Sequence, residues 1–506
     1  MLQNRSAEHP GSHYLAILEN LRETAGESRT VGLPDAVVQV FVDSDASLQQ
    51  AIADAGDAHS ALGSEAADLL ATAEQDLTAR LQDGLVNFYP DDVVNPYVAL
   101  AACGPWIITT CGAVIHDSGG YGMLGLGHSP QFVLEAMNRR QVMANVMTPS
   151  LSQHRFVSAL RQELGRTRGS CPYKGFVCLN SGSEAMTVAL RLADINAKVH
   201  TDPDGRHRGK PIRRVALEQG FHGRTDGPAR YSDSTLASYS EHLASFRDGG
   251  GPLTVEPNNI AQLEEVFAMA DQQGFFIEAV CMEPVMGEGN PGMPVSREFY
   301  DAARRLTLEH GSFLVIDSIQ AGLRAHGCLS VVDYPGFTDC IPPDLETYSK
   351  ALNAGQYPLS VLAIGERAKA VFRAGIYGNT MTANPRALDV ACAVLDSLTD
   401  KLRANIRQRG AEFAQRLQSL ADEMGDAITA VQGTGLLISC ELNPDRYKCY
   451  GAGSIEEYLR LHGIGVVHGG KHSLRFTPPF SISSAEIAMI VNAVRDALTN
   501  GPRRAA

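Results

Sequence analysis

The stretch GFVCLNSGSEAMTVALRLA, residues 175–193, runs from a short apolar strand into a helix through Asn180, Ser181, Gly182 and Ser183. Ser181 with Glu184 three residues on forms a capping box, so the helix begins at once. The first amides of such a helix and the positive end of its dipole face whatever sits above the turn, which suits a phosphate. A plain capped strand-to-helix turn fits these residues equally well, and the surrounding sequence has to decide.

Outward from this unit the same texture repeats. RRVALEQG (213–220), IEAVCMEPV (277–285) and FLVIDS (313–318) are short apolar runs, and SREFYDAARRLTLEHG (296–311) is a helical stretch between two of them. Strand–helix alternation predicts an α/β fold with a mostly parallel sheet covered by helices. Beyond Pro385 two long helices precede LLISCEL (436–442), a Gly/His-rich turn and SLRFTPP (473–479), which predicts a smaller α+β domain. The first 94 residues read as polar and helical: HSALGSEAADLLATAEQDLTARLQDGL (59–85) repeats apolar residues at helical spacing and stops at glycine.

The chain has 506 residues, enough for at least two packed domains, and 44% of them are apolar. A formal net charge of −14 argues against a nucleic-acid partner, because phosphate backbones need a basic face. Ten cysteines are scattered without metal-ligand spacing; the nearest pair, Cys171 and Cys178, is too far apart for a zinc knuckle. No metal is expected. No apolar run is long enough to span a bilayer and the first 20 residues hold no continuous apolar segment, so a soluble, cytoplasmic protein with reduced thiols is expected.

Several residues invite chemistry. Gly120-Tyr121-Gly122-Met123-Leu124-Gly125 matches the dinucleotide fingerprint G-x-G-x-x-G, but the glycines run on towards Pro130 instead of opening a helix, and no nicotinamide site is expected. Asp317 ends an apolar strand, where a buried acid needs a cationic partner. Glu283 and Glu288 follow another strand end in CMEPVMGEGN (281–290), and Phe221-His222-Gly223-Arg224 follows a third. Lys350, in SKALNAGQYP (349–358), is a lone amine between an apolar run and a turn. Arg475, amid apolar residues and prolines, pairs with a structural carboxylate or forks onto a substrate carboxylate.

Taken in order, the Gly/Ser turn, the aromatic-His-Gly, the Glu-Pro, the strand-end Asp, the lysine and the Arg-x-x-Pro-Pro resemble the class III aminotransferases from about Asn95 to the C-terminus. The resemblance implies the aspartate-aminotransferase-like fold type I and a pyridoxal 5′-phosphate cofactor. It implies an N-terminal extension over 1–94 and the N-terminal part of a small domain over 95–155. A large cofactor domain over 156–385 and a C-terminal small domain over 386–506 follow. By the same resemblance Lys350 forms the Schiff base with the cofactor, while Ser181, Gly182 and Ser183 hold its phosphate. Phe221 and Ile319 cover the two faces of the ring; Asp317 pairs with the ring nitrogen and Gln320 reaches the ring hydroxyl. His222 and Glu283 join the cofactor set. Thr380, in GNTMTANP (378–385), matches the threonine that reaches the neighbouring subunit's phosphate, which implies a homodimer with shared sites; pairing of dimers into tetramers stays open. The family usually writes Asp-Glu-Val-Gln around the counter-ion, and here Ser318 stands in place of the glutamate.

The implied reaction is amino transfer from an ω-amine or diamino acid, such as ornithine, lysine or 4-aminobutyrate, to a 2-oxo acid, with 2-oxoglutarate as acceptor. Glu288 is expected to neutralise Arg475 while a donor without an α-carboxylate binds, and to swing aside for the dicarboxylate. The same fold and lysine also serve racemases, aminomutases and decarboxylases, and a non-catalytic scaffold retaining the site is a further alternative.

Overall fold

In a computed structural model the protein is described over residues 11–143, 145–247 and 250–504; the first ten residues of the expected extension lie outside these. Three sheets organise the chain. The first takes β1 (Ala99–Cys103), β2 (Trp106–Thr109) and β3 (Val114–Asp117) as an antiparallel meander. The second holds β4 (Gly175–Leu179), β5 (Ile212–Leu217), β6 (Leu253–Val255), β7 (Phe276–Met282), β8 (Phe313–Asp317), β9 (Leu345–Tyr348) and β10 (Ser360–Ile364). The third is built from β11 (Ile428–Thr434), β12 (Leu437–Leu442), β14 (Val467–Gly469) and β15 (Ser473–Phe476), while the short β13 (Ile464–Gly465) runs parallel to β3 in the first.

The seven-stranded sheet has the order β4-β10-β9-β8-β7-β5-β6. Five neighbours from β9 to β6 pair in parallel, and β10 alone runs against both of its partners. This is the mostly parallel α/β sheet expected from the alternation of strands and helices. Its strands are mostly apolar because both faces are covered, with Arg213, Arg214, Glu278, Asp317 and Glu346 as the charged exceptions. Val280, Met282, Leu314 and Ile316 face one core with the helices Ile260–Gln273 and Arg297–His310. Ala279, Cys281, Phe313 and Val315 alternate to the other face, against the helix Gly182–Thr201. Parallel strands carry their C-terminal ends to one edge, and in such sheets ligands bind outside that edge.

The residues before Asn95 are helical, but 59–85 is not one helix. The helices are Ala46–Glu65, Ala67–Leu70 and Glu74–Gln82. The chain turns at 71–73 so that the Glu74 carboxylate accepts the Arg29 and Thr30 amides at 2.9 and 2.8 Å, a tertiary contact that overrides helix propensity. Leu18, Val38, Leu48 and Ile52 from this region share a core with Trp106, Ile108 and Val114 of the first sheet. The Trp106 indole N–H donates to Asp45 at 2.6 Å. Helix Leu151–Glu163 crosses the 155/156 boundary drawn from the sequence. No described helix is long and apolar enough to cross a membrane.

Candidate active site

A cavity of about 380 Å³ opens at the C-terminal edge of the large sheet. Ser181, Gly182, Ser183, Phe221, His222, Glu283, Asp317, Ile319, Gln320 and Lys350 all line it, together with Met123, Asn353 and Tyr357. Thus residues scattered over 170 positions of sequence meet because each follows the end of a strand. Glu288, Arg475 and Thr380 are not in its wall.

At one end of the cavity the helix Gly182–Thr201 begins. The Ser181 hydroxyl accepts the Glu184 amide at 3.3 Å, and the Glu184 carboxylate returns to the Asn180 and Ser181 amides at 2.7 and 3.2 Å. The capping box therefore occupies the Ser181 hydroxyl. The amides of Gly182 and Ser183, at the first two helical positions, have no carbonyl partner within the helix and are the groups left for an anion.

Asp317, the last residue of β8, is 4% exposed and held at three points. His222 Nδ1 lies 2.9 Å from Oδ2, the Ile319 amide donates to Oδ1 at 3.1 Å, and the Thr347 hydroxyl lies 3.4 Å from Oδ1. Burial opposes charge on His222, but Cys281 and Asp317 beside it outweigh that and raise its pKa well above the ordinary imidazole value. Glu283 accepts the Phe221 amide at 3.1 Å and the Gly287 amide at 2.8 Å, tying two loops of the wall together. Burial is the main cause that lifts its carboxyl to about 7. Gln320 is 5% exposed, and both ends of its amide lack a partner.

Lys350 is partly exposed, and it lines the cavity. Burial first, and then repulsion from Arg475, push its amine down from 10.5 to about 8 against the opposing pull of Glu288, Glu283 and Asp317. The glycine run set aside as a dinucleotide fingerprint contributes Met123 to the cavity wall. It makes a short 3₁₀ turn, and a helix starts only at Gln131. Gly122 has φ +77°, and a Cβ there would stand 3.2 Å from Gln320 Oε1 and 3.6 Å from Lys350 Cδ.

Arg475, on β15, is 5% exposed; one guanidinium nitrogen donates to the Gly287 carbonyl at 3.1 Å and its Nε has no partner. Glu288 lies 3.4 Å from Arg224, and among the described residues no ion pair joins it to Arg475. The Arg224 guanidinium stands over the Phe221 ring at 5.3 Å and over the Phe88 ring at 5.5 Å. The sequence assigns Arg224 no role; its one signal there is its position three residues after Phe221. Thr380 is exposed, and its carbonyl accepts from Asn145 at 3.3 Å.

Residues 90–498 match the model of the family described as aminotransferase class-III. The chain is 30% identical over 417 residues to an acetylornithine aminotransferase of Neisseria meningitidis serogroup B, covering 81% of this chain and 96% of that protein. It is 30% identical over 327 residues to an ornithine aminotransferase of Staphylococcus aureus, covering 64% and 75% respectively. Among solved structures it resembles the ornithine aminotransferase from Toxoplasma gondii ME49, with a TM-score of 0.70 at 23% identity, over 87% of this chain and 98% of that one. A PLP-bound amine transaminase from an uncultivated Pseudomonas species also has a TM-score of 0.70, at 21% identity, over 83% and 99%.

Proposed function

The chain belongs to the class III aminotransferases, and on that premise we propose that it moves an amino group from the terminal amine of a diamino or ω-amino acid to 2-oxoglutarate. The observation that carries this reading is the Lys350 amine, its pKa pushed down to about 8 by burial, in the same cavity as the strand-end Asp317. The relatives named acetylornithine and ornithine aminotransferase support a diamino acid donor.

Pyridoxal 5′-phosphate is the cofactor, and the residues present fit it. The open amides of Gly182 and Ser183 suit its phosphate, Phe221 and Ile319 suit the faces of a flat ring, and the unpartnered Gln320 amide suits the ring hydroxyl. When bound, the group supplies an electron sink for the bond broken at the substrate carbon. Asp317, fixed by three donors, would hold a positive charge on the ring nitrogen by opposite charge in a low-dielectric setting. Lys350 would hold the cofactor aldehyde until an incoming amine releases it, and its Nζ, with its pKa lowered to about 8, would then take the proton from the substrate carbon and return it. Arg475, with an unpartnered Nε, forks onto the α-carboxylate of the oxo acid.

Glu288 pairs with Arg224, and the gating of Arg475 by Glu288 is the part of this reading that substitution tests. Replacing Glu288 with alanine is expected to slow the donor half-reaction more than the glutamate half-reaction; equal loss in both removes its gating role. For the reaction itself the decisive measurement is the visible absorption of the purified protein after addition of ornithine, N-acetylornithine, lysine or 4-aminobutyrate singly. A donor should bleach the cofactor band and 2-oxoglutarate should restore it. A band that no amine alters would overturn the proposal.

A homodimer with shared sites belongs to the same reading. Thr380 is exposed and outside its own chain's cavity, and Val142, Met147, Leu151 and Met381 nearby leave an apolar strip uncovered. Light scattering on the purified protein should give twice the chain mass.

A further inference from the structure

Ser318 and Glu346 have no part in the roles assigned so far, yet they are joined by a short hydrogen bond directly behind Asp317. In the sheet register Asp317 lies opposite Thr347 and Ile316 opposite Glu346. Alternation therefore sends the Thr347 and Glu346 side chains to opposite faces. Thr347 meets Asp317, while Glu346 points into the protein below.

Glu346 is 0% exposed, and among the described residues no cation pairs with it. A buried carboxylate costs several kcal/mol unless donors replace water. Here it accepts the Ser318 hydroxyl at 2.6 Å, the Ser330 hydroxyl at 2.6 Å, the Val331 amide at 3.0 Å and the Tyr173 hydroxyl. Burial pushes its carboxyl up, and these donors pull it back. The four donors come from three chain segments: the approach to β4, the turn after β8, and the Ser330–Val331 loop.

The turn is the functional one. It carries Ile319 and Gln320 into the cavity directly after Asp317. Its backbone is fastened at Ser318, whose amide donates to the Thr347 carbonyl at 3.0 Å and whose carbonyl accepts the Gly322 amide at 2.8 Å. The Ser318 hydroxyl adds a side-chain anchor, and it is tied to the strand that leads to Lys350. Resting on the reading of the cavity as the pyridoxal phosphate site, we infer that Ser318 and Glu346 are positioning residues that fix the Asp317–Gln320 turn against β9 and so set how tightly the cofactor ring is held. The acid that the family usually places at position 318 is thereby supplied from the neighbouring strand.

The test uses three readouts on the full chain. These are the dissociation constant for pyridoxal phosphate by equilibrium dialysis, the pH midpoint of the visible band of the loaded enzyme, and the Tm of the cofactor-free protein. Ser318→Ala should raise the dissociation constant about tenfold or more, the loss of one hydrogen bond to a charged group, and shift the midpoint. Ser318→Thr keeps the hydroxyl and should restore both. Glu346→Gln should weaken retention at least as much, and adding Ser318→Ala to it should cost nothing further. If Glu346→Gln fails to fold, the Ser318 pair decides alone. A Ser318→Ala protein with wild-type affinity and midpoint, whatever its Tm, overturns the inference. Wild-type protein that does not retain pyridoxal phosphate would instead overturn the reading of the cavity.

Discussion

Lys350 combines two unusual properties for a lysine: a left-handed backbone, with φ +46°, and an amine pushed down to about 8. A non-glycine residue in that region costs on the order of 1–3 kcal/mol, so the fold holds it there against its preference. The depressed pKa fixes two signs. Between about 8 and its ordinary value the unfolded chain binds more protons at this lysine than the folded one, so the cofactor-free protein gains stability as pH rises through that window. The neutral amine is also the form that attacks an aldehyde. Capture of pyridoxal phosphate by the cofactor-free protein, followed by stopped-flow absorbance, should therefore rise about tenfold per pH unit below 8 and level off above it. A flat profile from pH 6 to 9 would contradict an amine of depressed pKa. His222 acts one step back, through its 2.9 Å contact with Asp317. His222→Leu leaves that carboxylate short of a donor, worth about 1.5–3 kcal/mol. It should lower kcat about tenfold or more with KM for the donor little changed; a loss confined to KM would place His222 on the substrate side.

At the scale of elements, the capping box of the helix Gly182–Thr201 separates two readings of Ser181. Its hydroxyl is committed to the Glu184 amide, so Ser181→Ala should cost about 1 kcal/mol of stability and leave cofactor affinity within about twofold. A large loss of affinity in calorimetry would give the hydroxyl to the phosphate instead. This helix was legible in the sequence because everything that starts it lies within four residues, as do the buried strands FLVID (313–317) and IEAVCM (277–282), whose apolar runs need no partner to be recognised. What could not be read were contacts closed by the sheet. Ser318 meets Glu346 across 28 positions and His222 meets Asp317 across 95, and neither spacing carries a local signal. Glu346 in particular reads as an ordinary polar residue of a short strand until its neighbours show that it is fully enclosed. The Glu288–Arg224 pair is of the same kind. Helical spacing over 59–85 was visible too, whereas the break at 71–73 depends on backbone amides more than 40 residues upstream.

On the scale of the whole molecule, the helices before Asn95 are part of the core and not an appendage. They bury Trp106, Ile108 and Val114, each 0% exposed, so a chain starting near residue 95 would open that core to water. The opposite situation holds around Thr380, where the side chains of Val142, Met143, Val146, Met147, Leu151 and Met381 are left exposed. A patch of that kind suits a partner, and in the homodimer proposed above a second copy would close it by two-fold symmetry. If Thr380 completes the partner's site, Lys350→Ala and Thr380→Ala subunits carry complementary lesions. Each homodimer has the same defect twice. A hybrid dimer has one site with both defects and one with neither. Equal mixing with subunit exchange makes about half of the dimers hybrid, so activity measured after removal of free cofactor should recover to about a quarter of the wild-type level. Recovery that tracks the simple average of the two parents would mean that each site is built within one chain, and Thr380 would then be a surface residue without a role in catalysis.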